Sequence, residues 1–146
     1  MNRWVEGLPQ LTDFDSKVNN LVIIDDLMNE TDQSVTNFFT KGSHHCNISI
    51  LYLVQNLFHK GKEQRTISLN SHYMVAFKNP RDVNQITHLA KQMYPGRIKF
   101  LQEAFIDATS VPFGYLLIDL KQTTPDDRRV RTNIFKDEVI CIYMPK

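Results

Sequence analysis

Leu21-Val22-Ile23-Ile24-Asp25-Asp26 decides how the chain is read. Four β-forming apolar residues stand in a row with no polar residue between them, and two carboxylates end the run. A continuous run of this length predicts a strand buried on both faces, as in a parallel sheet covered by helices. Working outward, Thr31 or Asp32 can cap a helix with apolar positions Val35, Phe38 and Phe39 and a stop at Gly42. Residues 48–54 (Ile-Ser-Ile-Leu-Tyr-Leu-Val) repeat the buried-strand pattern and end in Gln55-Asn56. Residues 59–66 are polar and basic and read as a loop. Tyr73-Met74-Val75-Ala76-Phe77 is a third strand. Asn79-Pro80 opens a helix whose apolar positions Val83, Ile86, Leu89, Ala90 and Met93 keep helical spacing, and Pro95-Gly96 stops it. A further helix covers about 97–108, with Phe100, Leu101, Ala104, Phe105 and Ala108 on its apolar side. Residues 115–120 (Tyr-Leu-Leu-Ile-Asp-Leu) form a fourth strand, 121–133 a polar surface segment, and Val139–Tyr143 a candidate last strand. Strands alternating with helices predict an α/β fold with a mostly parallel central sheet flanked by helices.

The composition fits that fold. The chain has 146 residues, one domain's worth, with 42% apolar and 23% charged residues, as in globular domains. The expected core covers about residues 18–120, and 121–146 form a polar tail. No apolar run nears the roughly 18 residues of a membrane helix, and the first residues lack a signal-peptide core, so the expected location is intracellular. Two distant cysteines, Cys46 and Cys141, give neither a disulfide framework nor zinc spacing. Charge is uneven. Residues 1–40 carry two basic and seven acidic side chains, residues 41–100 nine basic and two acidic. The middle section can face phosphates, or it is a solvated basic face.

In open parallel sheets, ligands sit at the carboxyl ends of the strands. Those ends carry Asp25-Asp26, Gln55-Asn56 and Lys78-Asn79-Pro80-Arg81. Four apolar residues followed by Asp-Asp have the form of a Walker B element. The strand holds the first carboxylate rigidly, where it can orient Mg²⁺ and its water shell, and the second can accept a proton from an attacking water. A carboxamide at Gln55 or Asn56 can hydrogen-bond both that water and a phosphate oxygen. Arg81, or Arg65 in the basic segment, can stabilise charge on a phosphate. Each residue also has a plain reading, as a polar strand end, a turn cap or a surface cation.

Five stretches occur in the same order in one known family: residues 21–28, 52–58, 65–70, 77–82 and 114–120. On them the chain resembles the C-terminal part of a poxvirus-type genome-packaging ATPase of the FtsK–HerA group of P-loop motors. Within that group it is most similar to the versions carried by Maverick/Polinton elements and adintovirus-like genomes. The resemblance covers about residues 5–132. It implies a partial P-loop NTPase core of RecA/FtsK type, ATP and Mg²⁺ as cofactors, and a homo-oligomeric ring. Double-stranded DNA and capsid proteins would be its partners, with no membrane. It gives Asp25 the metal-orienting role and Asp26 that of catalytic acid, where many relatives carry Glu. Gln55 becomes the sensor, with Asn56 beside it, and Arg81 or Arg65 the arginine acting on a neighbouring subunit. Lys60, Lys62 and Arg65 would touch DNA near the ring pore.

One element departs from the family. No Gly-x-x-x-x-Gly-Lys-Ser/Thr stretch occurs; Gly61-Lys62 runs into Glu63 and Gly42-Ser43 lacks the lysine. In the family that loop lies upstream of the region matching Gly7-Leu8-Pro9. The expectation is therefore a chain without the first strand and the phosphate loop, inactive alone, with apolar edge surface exposed. The other readings are a non-catalytic domain that binds an intact ATPase subunit, or an inactive relic of an integrated viral element.

Overall fold

The computed structural model of the chain describes residues 4–25, 33–42, 47–56, 62–82 and 84–145. The fold is mixed α/β and divides into two units, Met1–Ser71 and His72–Lys146, each with its own sheet.

The first unit is built on β1 (Asn20–Asp25) and β2 (Ile48–Leu53), which pair in parallel from Asn20 opposite Ile48 to Asp25 opposite Leu53. Between them lies α1 (Gln33–Asn37), which continues as a π-helical turn, Phe38–Gly42. A strand, a helix that runs back and a second strand give parallel pairing. The capping residues Thr31 and Asp32 lie outside the described residues. Asn47 fixes the register at the open end of the pair. Its backbone is left-handed (φ 50°), a conformation asparagine tolerates, and its carbonyl accepts the Asn20 N–H at 3.0 Å while its side-chain amide donates to Asn19 Oδ1 at 2.8 Å.

The strands differ from expectation on one point: they alternate. Val22, Ile24 and Ile48 are buried against Val35, Phe38 and Ile67, whereas Leu21, Ile23, Leu51 and Leu53 face outward and are exposed. One helical layer covers one face of the pair. Among the described residues of this unit nothing covers the other. The edge-on pair Phe14–Phe38, with centroids 6.0 Å apart, closes the covered side.

The expected basic loop 59–66 is corrected in its second half. Lys62–Asn70 is a helix, α2, seated by buried Gln64 and Ile67. These two are three residues apart and so share a face. With one apolar anchor buried and Leu69 exposed, the helix carries almost no hydrophobic signal.

The second unit contains β3 (Tyr73–Phe77), α3 (Asn84–Met93), α4 (Ile98–Ala108), β4 (Tyr115–Asp119), β5 (Val130–Thr132) and β6 (Cys141–Tyr143). Its sheet has the order β3-β4-β5-β6 and every pairing is antiparallel, which corrects the expected parallel order here. The cause is a count of helices. One helix between two strands returns the chain to the end it started from. Two helices joined at Pro95-Gly96 bring it to the opposite end, so β4 enters against β3. All five residues of β4 are buried, and Leu101, Ala104 and Ala108 of α4 are buried with them. Gly114 is required where α4 turns into β4, because a Cβ there would run into the Ala108 carbonyl oxygen. Residues 130–132, expected within a surface segment, form a strand because Val130 and Thr132 face inward while Arg131 faces the other side.

Candidate functional site

The carboxyl edge of β1 and β2 gathers the residues that the sequence singles out. Asp25 closes β1 directly beside Leu53, and Gln55 and Asn56 follow Leu53 by two and three residues. An acid and two carboxamides thus leave neighbouring parallel strands at the same end. Asp25 shares the outward face with Leu21 and Ile23 and is itself exposed, as is Gln55, while Asn56 is half-buried. An exposed carboxylate on a strand end is a hard oxygen donor with room for a hydrated cation. Among the described residues no group of three or more His, Cys, Asp or Glu side chains is placed to hold a metal directly.

The remaining candidates are placed differently. Asp26 and Lys60 lie outside the described residues. Lys62 begins α2, and Arg65 sits on the exposed side of that helix in the first unit. Both lie on a helix, not on the expected loop. Arg81 belongs to the second unit and is exposed. It lies in a turn before α3 and not in the first helical turn, because the Arg81 N–H donates to Asn79 Oδ1 at 3.0 Å and the Asp82 N–H to the Asn79 carbonyl at 3.2 Å. Asn79 here closes a turn on its own side chain, and the helix begins at Asn84.

No known family, characterised protein or solved structure matches this chain. The site therefore rests on its own geometry. No helix among the described residues is long and apolar enough to cross a membrane.

The second unit holds a polar cluster with no assigned role in the sequence reading. The buried Asp119 carboxylate, at the end of β4, accepts Arg131 Nη2 at 2.6 Å and the Lys121 N–H at 3.1 Å. Arg129 Nη1 donates to the Asp119 and Lys121 carbonyls at 3.1 and 2.7 Å, and its Nε pairs with Asp126 at 2.7 Å. Donors spent on carbonyls make this a brace that fixes the β4–β5 turn. Two sequence signals point to it: an aspartate closing the apolar run Tyr115–Ile118, and arginines at alternate positions on either side of Val130.

A groove of about 470 Å³ in the same unit is lined by α4 residues Phe100, Ala104 and Asp107 and by Tyr143 and Met144. The Tyr143 hydroxyl donates to Asp107 Oδ2 at 2.6 Å and ties β6 to α4. Burial, then the Asp107 hydrogen bond, pushes the Tyr143 phenol well above its ordinary pKa. A raised folded pKa means stability that is fully present below the unfolded value of about 10 and lost as pH rises towards the folded one. Tyr143→Phe is expected to cost about 1 kcal/mol at pH 8, the worth of one hydrogen bond. The difference from the parent should shrink above pH 10, which urea midpoints at two pH values would read. A difference that does not change with pH would remove the phenol from this role.

Proposed function

We propose that the chain carries the Walker B and sensor part of a P-loop ATPase of the genome-packaging type, whose ATP hydrolysis moves double-stranded DNA into a viral capsid. The observation that supports it is the parallel adjacency of β1 and β2, which sends Asp25 and Gln55 out of one sheet edge. In this reading Asp25 would hold a hydrated Mg²⁺, which would supply positive charge beside a phosphate; Asp26 would accept a proton from water, and Gln55 with Asn56 would orient that water. The exposed Asp25 carboxylate fits a hydrated Mg²⁺. ATP does not fit these residues alone, because its phosphates need a cradle of backbone N–H groups, a lysine and a hydroxyl, and the sequence has no such stretch. A P-loop segment outside these residues must supply it. β1 and β2 then sit in a mostly parallel central sheet, with Leu21, Ile23, Leu51 and Leu53 under a second helical layer. Lys60, Lys62 and Arg65 contribute a basic surface for DNA, and Arg81 or Arg65 acts on a neighbouring subunit of an intracellular ring.

A second reading, a non-catalytic domain that binds an intact ATPase subunit, draws on one observation: four large apolar side chains on the open face of β1–β2.

The test is ATP turnover. The chain alone is expected to show none. With a polypeptide bearing the P-loop supplied in trans, Mg²⁺-dependent turnover is expected, and Asp25→Ala should lower it on the order of 10²-fold, the usual cost of removing electrostatic stabilisation of a developing charge. An unchanged rate would take Asp25 out of the site. Hydrolysis by the chain alone that Asp26→Asn abolishes would overturn the need for an outside cradle.

A further inference from the structure

The edge strand of a sheet presents a row of unpaired N–H and C=O groups, and natural edges carry lysine, proline or a bulge that keeps other strands away. The sheet of the second unit has two edges, β3 and β6. β3 is guarded. Lys78 follows it, and Lys121 Nζ lies 4.8 Å from the centre of the Tyr73 ring. An antiparallel copy of β3 centred on Val75 would set His72 opposite Lys78 and gather lysines at the junction.

β6 is not guarded. Val139-Ile140-Cys141-Ile142-Tyr143-Met144 contains no charge, and Val139, Ile140, Ile142 and Met144 are 87%, 54%, 43% and 63% exposed. Only Cys141–Tyr143 of it is strand, and its uncharged, exposed flanks let that short edge extend along another strand. Its inner side is already fixed by β5 and by the Tyr143–Asp107 hydrogen bond.

We propose that β6 pairs antiparallel with β6 of a second copy of this chain, about a two-fold axis through Ile142, so that two four-stranded sheets become one of eight. The segment is self-complementary in this register. Ile142 faces Ile142 of the second copy, Ile140 faces Met144, and Cys141 faces Tyr143. Because side chains alternate, Ile140, Ile142 and Met144 share one face with their copies and form an unbroken apolar stripe. Cys141 and Tyr143 share the other. Pairing stops at Pro145, which has no N–H to give. An isologous contact of this kind closes as a dimer and does not propagate. One short strand pair is a small contact, so association is weak. This dimer is independent of the ATPase reading, since it uses neither Asp25 nor Gln55.

Directly opposed residues of an antiparallel pair have Cα atoms about 4.5–5.5 Å apart, within the span of a disulfide. The test is sedimentation of the full chain across the micromolar range, followed by cross-linking. With Cys46 and Cys141 both replaced by serine, Ile142→Cys is expected to give a covalent dimer with oxidised glutathione, whereas Val139→Cys, which faces Pro145, is not. Ile142→Lys in the parent chain should weaken dimerisation at least tenfold. A chain that stays monomeric at 100 μM overturns the proposal. So does an Ile142→Cys variant that cross-links no better than Val139→Cys, or an oligomer that Ile142→Lys leaves intact.

Discussion

Arg131→Ala is expected to destabilise the second unit by about 3 kcal/mol, the low end of the cost of removing one partner from a buried ion pair. The Asp119 side chain is 5% exposed and takes its charge-assisted hydrogen bond from Arg131 at 2.6 Å; the Arg131 side chain is 27% exposed, which places the effect at the low end. Truncation leaves a carboxylate inside β4 with, among the described residues, only the Lys121 N–H to hold it. Arg131→Lys should recover part of the loss, since it restores the charge but not the planar fork. Replacing Asp119 and Arg131 together by leucine should cost far less than Arg131→Ala, because the penalty belongs to the unpaired charge and not to the absence of the pair. Urea denaturation reads this directly: a lower midpoint at unchanged slope marks lost stability alone. A shift below about 0.5 kcal/mol, typical of an ordinary surface position, would show that water already serves Asp119.

That brace was the least legible part of the chain, and the reason is physical. Asp25 and Asp119 present the same local sequence, an apolar run closed by an aspartate. What separates them is the partner. Asp119 meets Arg131, twelve residues on, through a strand of only three residues. Such a strand has too little pattern to be recognised before its pairing is known. α2 was hidden for a related reason, since Ile67 is its one buried apolar residue and the charge around it resembles a loop. The long elements were legible. β1, β2, β3, β4 and α4 fall within a residue or so of where periodicity puts them, and α3 starts later because Asn79 holds a turn.

Strand direction is a different lesson. Apolar runs told which segments are strands but not how they pair. The number of helices between them did carry that information: one between β1 and β2, two between β3 and β4. Read that way, the sequence itself distinguishes the parallel pair from the antiparallel sheet. The placing of Asp25 near Gln55 was legible because it depends only on the parallel pair. Asp25 and Gln55 needed no more than adjacency of β1 and β2, and the structure supplies it. Arg81 would join that edge only with β3 parallel and in the same sheet, and β3 belongs to the antiparallel sheet of the second unit.

Neighbouring residues of β1 give the largest contrast. Ile24→Ala is expected to destabilise the first unit by about 3 kcal/mol, the transfer free energy of the lost carbons plus the cavity left among Val35, Phe38 and Ile67. Ile23→Ala should change stability by no more than about 0.5 kcal/mol, as exposed positions do. Ile24 is 3% exposed and Ile23 58%. The same substitution one residue away thus reports which face of β1 is covered. It also bears on function. An ATPase core with β1 inside a central sheet requires a second helical layer over Leu21, Ile23, Leu51 and Leu53. If Ile23→Ala costs the chain alone as much as Ile24→Ala, that layer is already present, and the one-sided packing of the pair is wrong. If Ile23→Ala is silent in the chain alone but costly once a P-loop polypeptide is bound, the open face is where that polypeptide packs. The apolar surface and the acid at its end, Asp25, then belong to one site, which is what the packaging-ATPase reading needs. If it is silent in both, β1 works with one face in water, and Asp25 is the polar end of a two-stranded sheet and not a metal ligand.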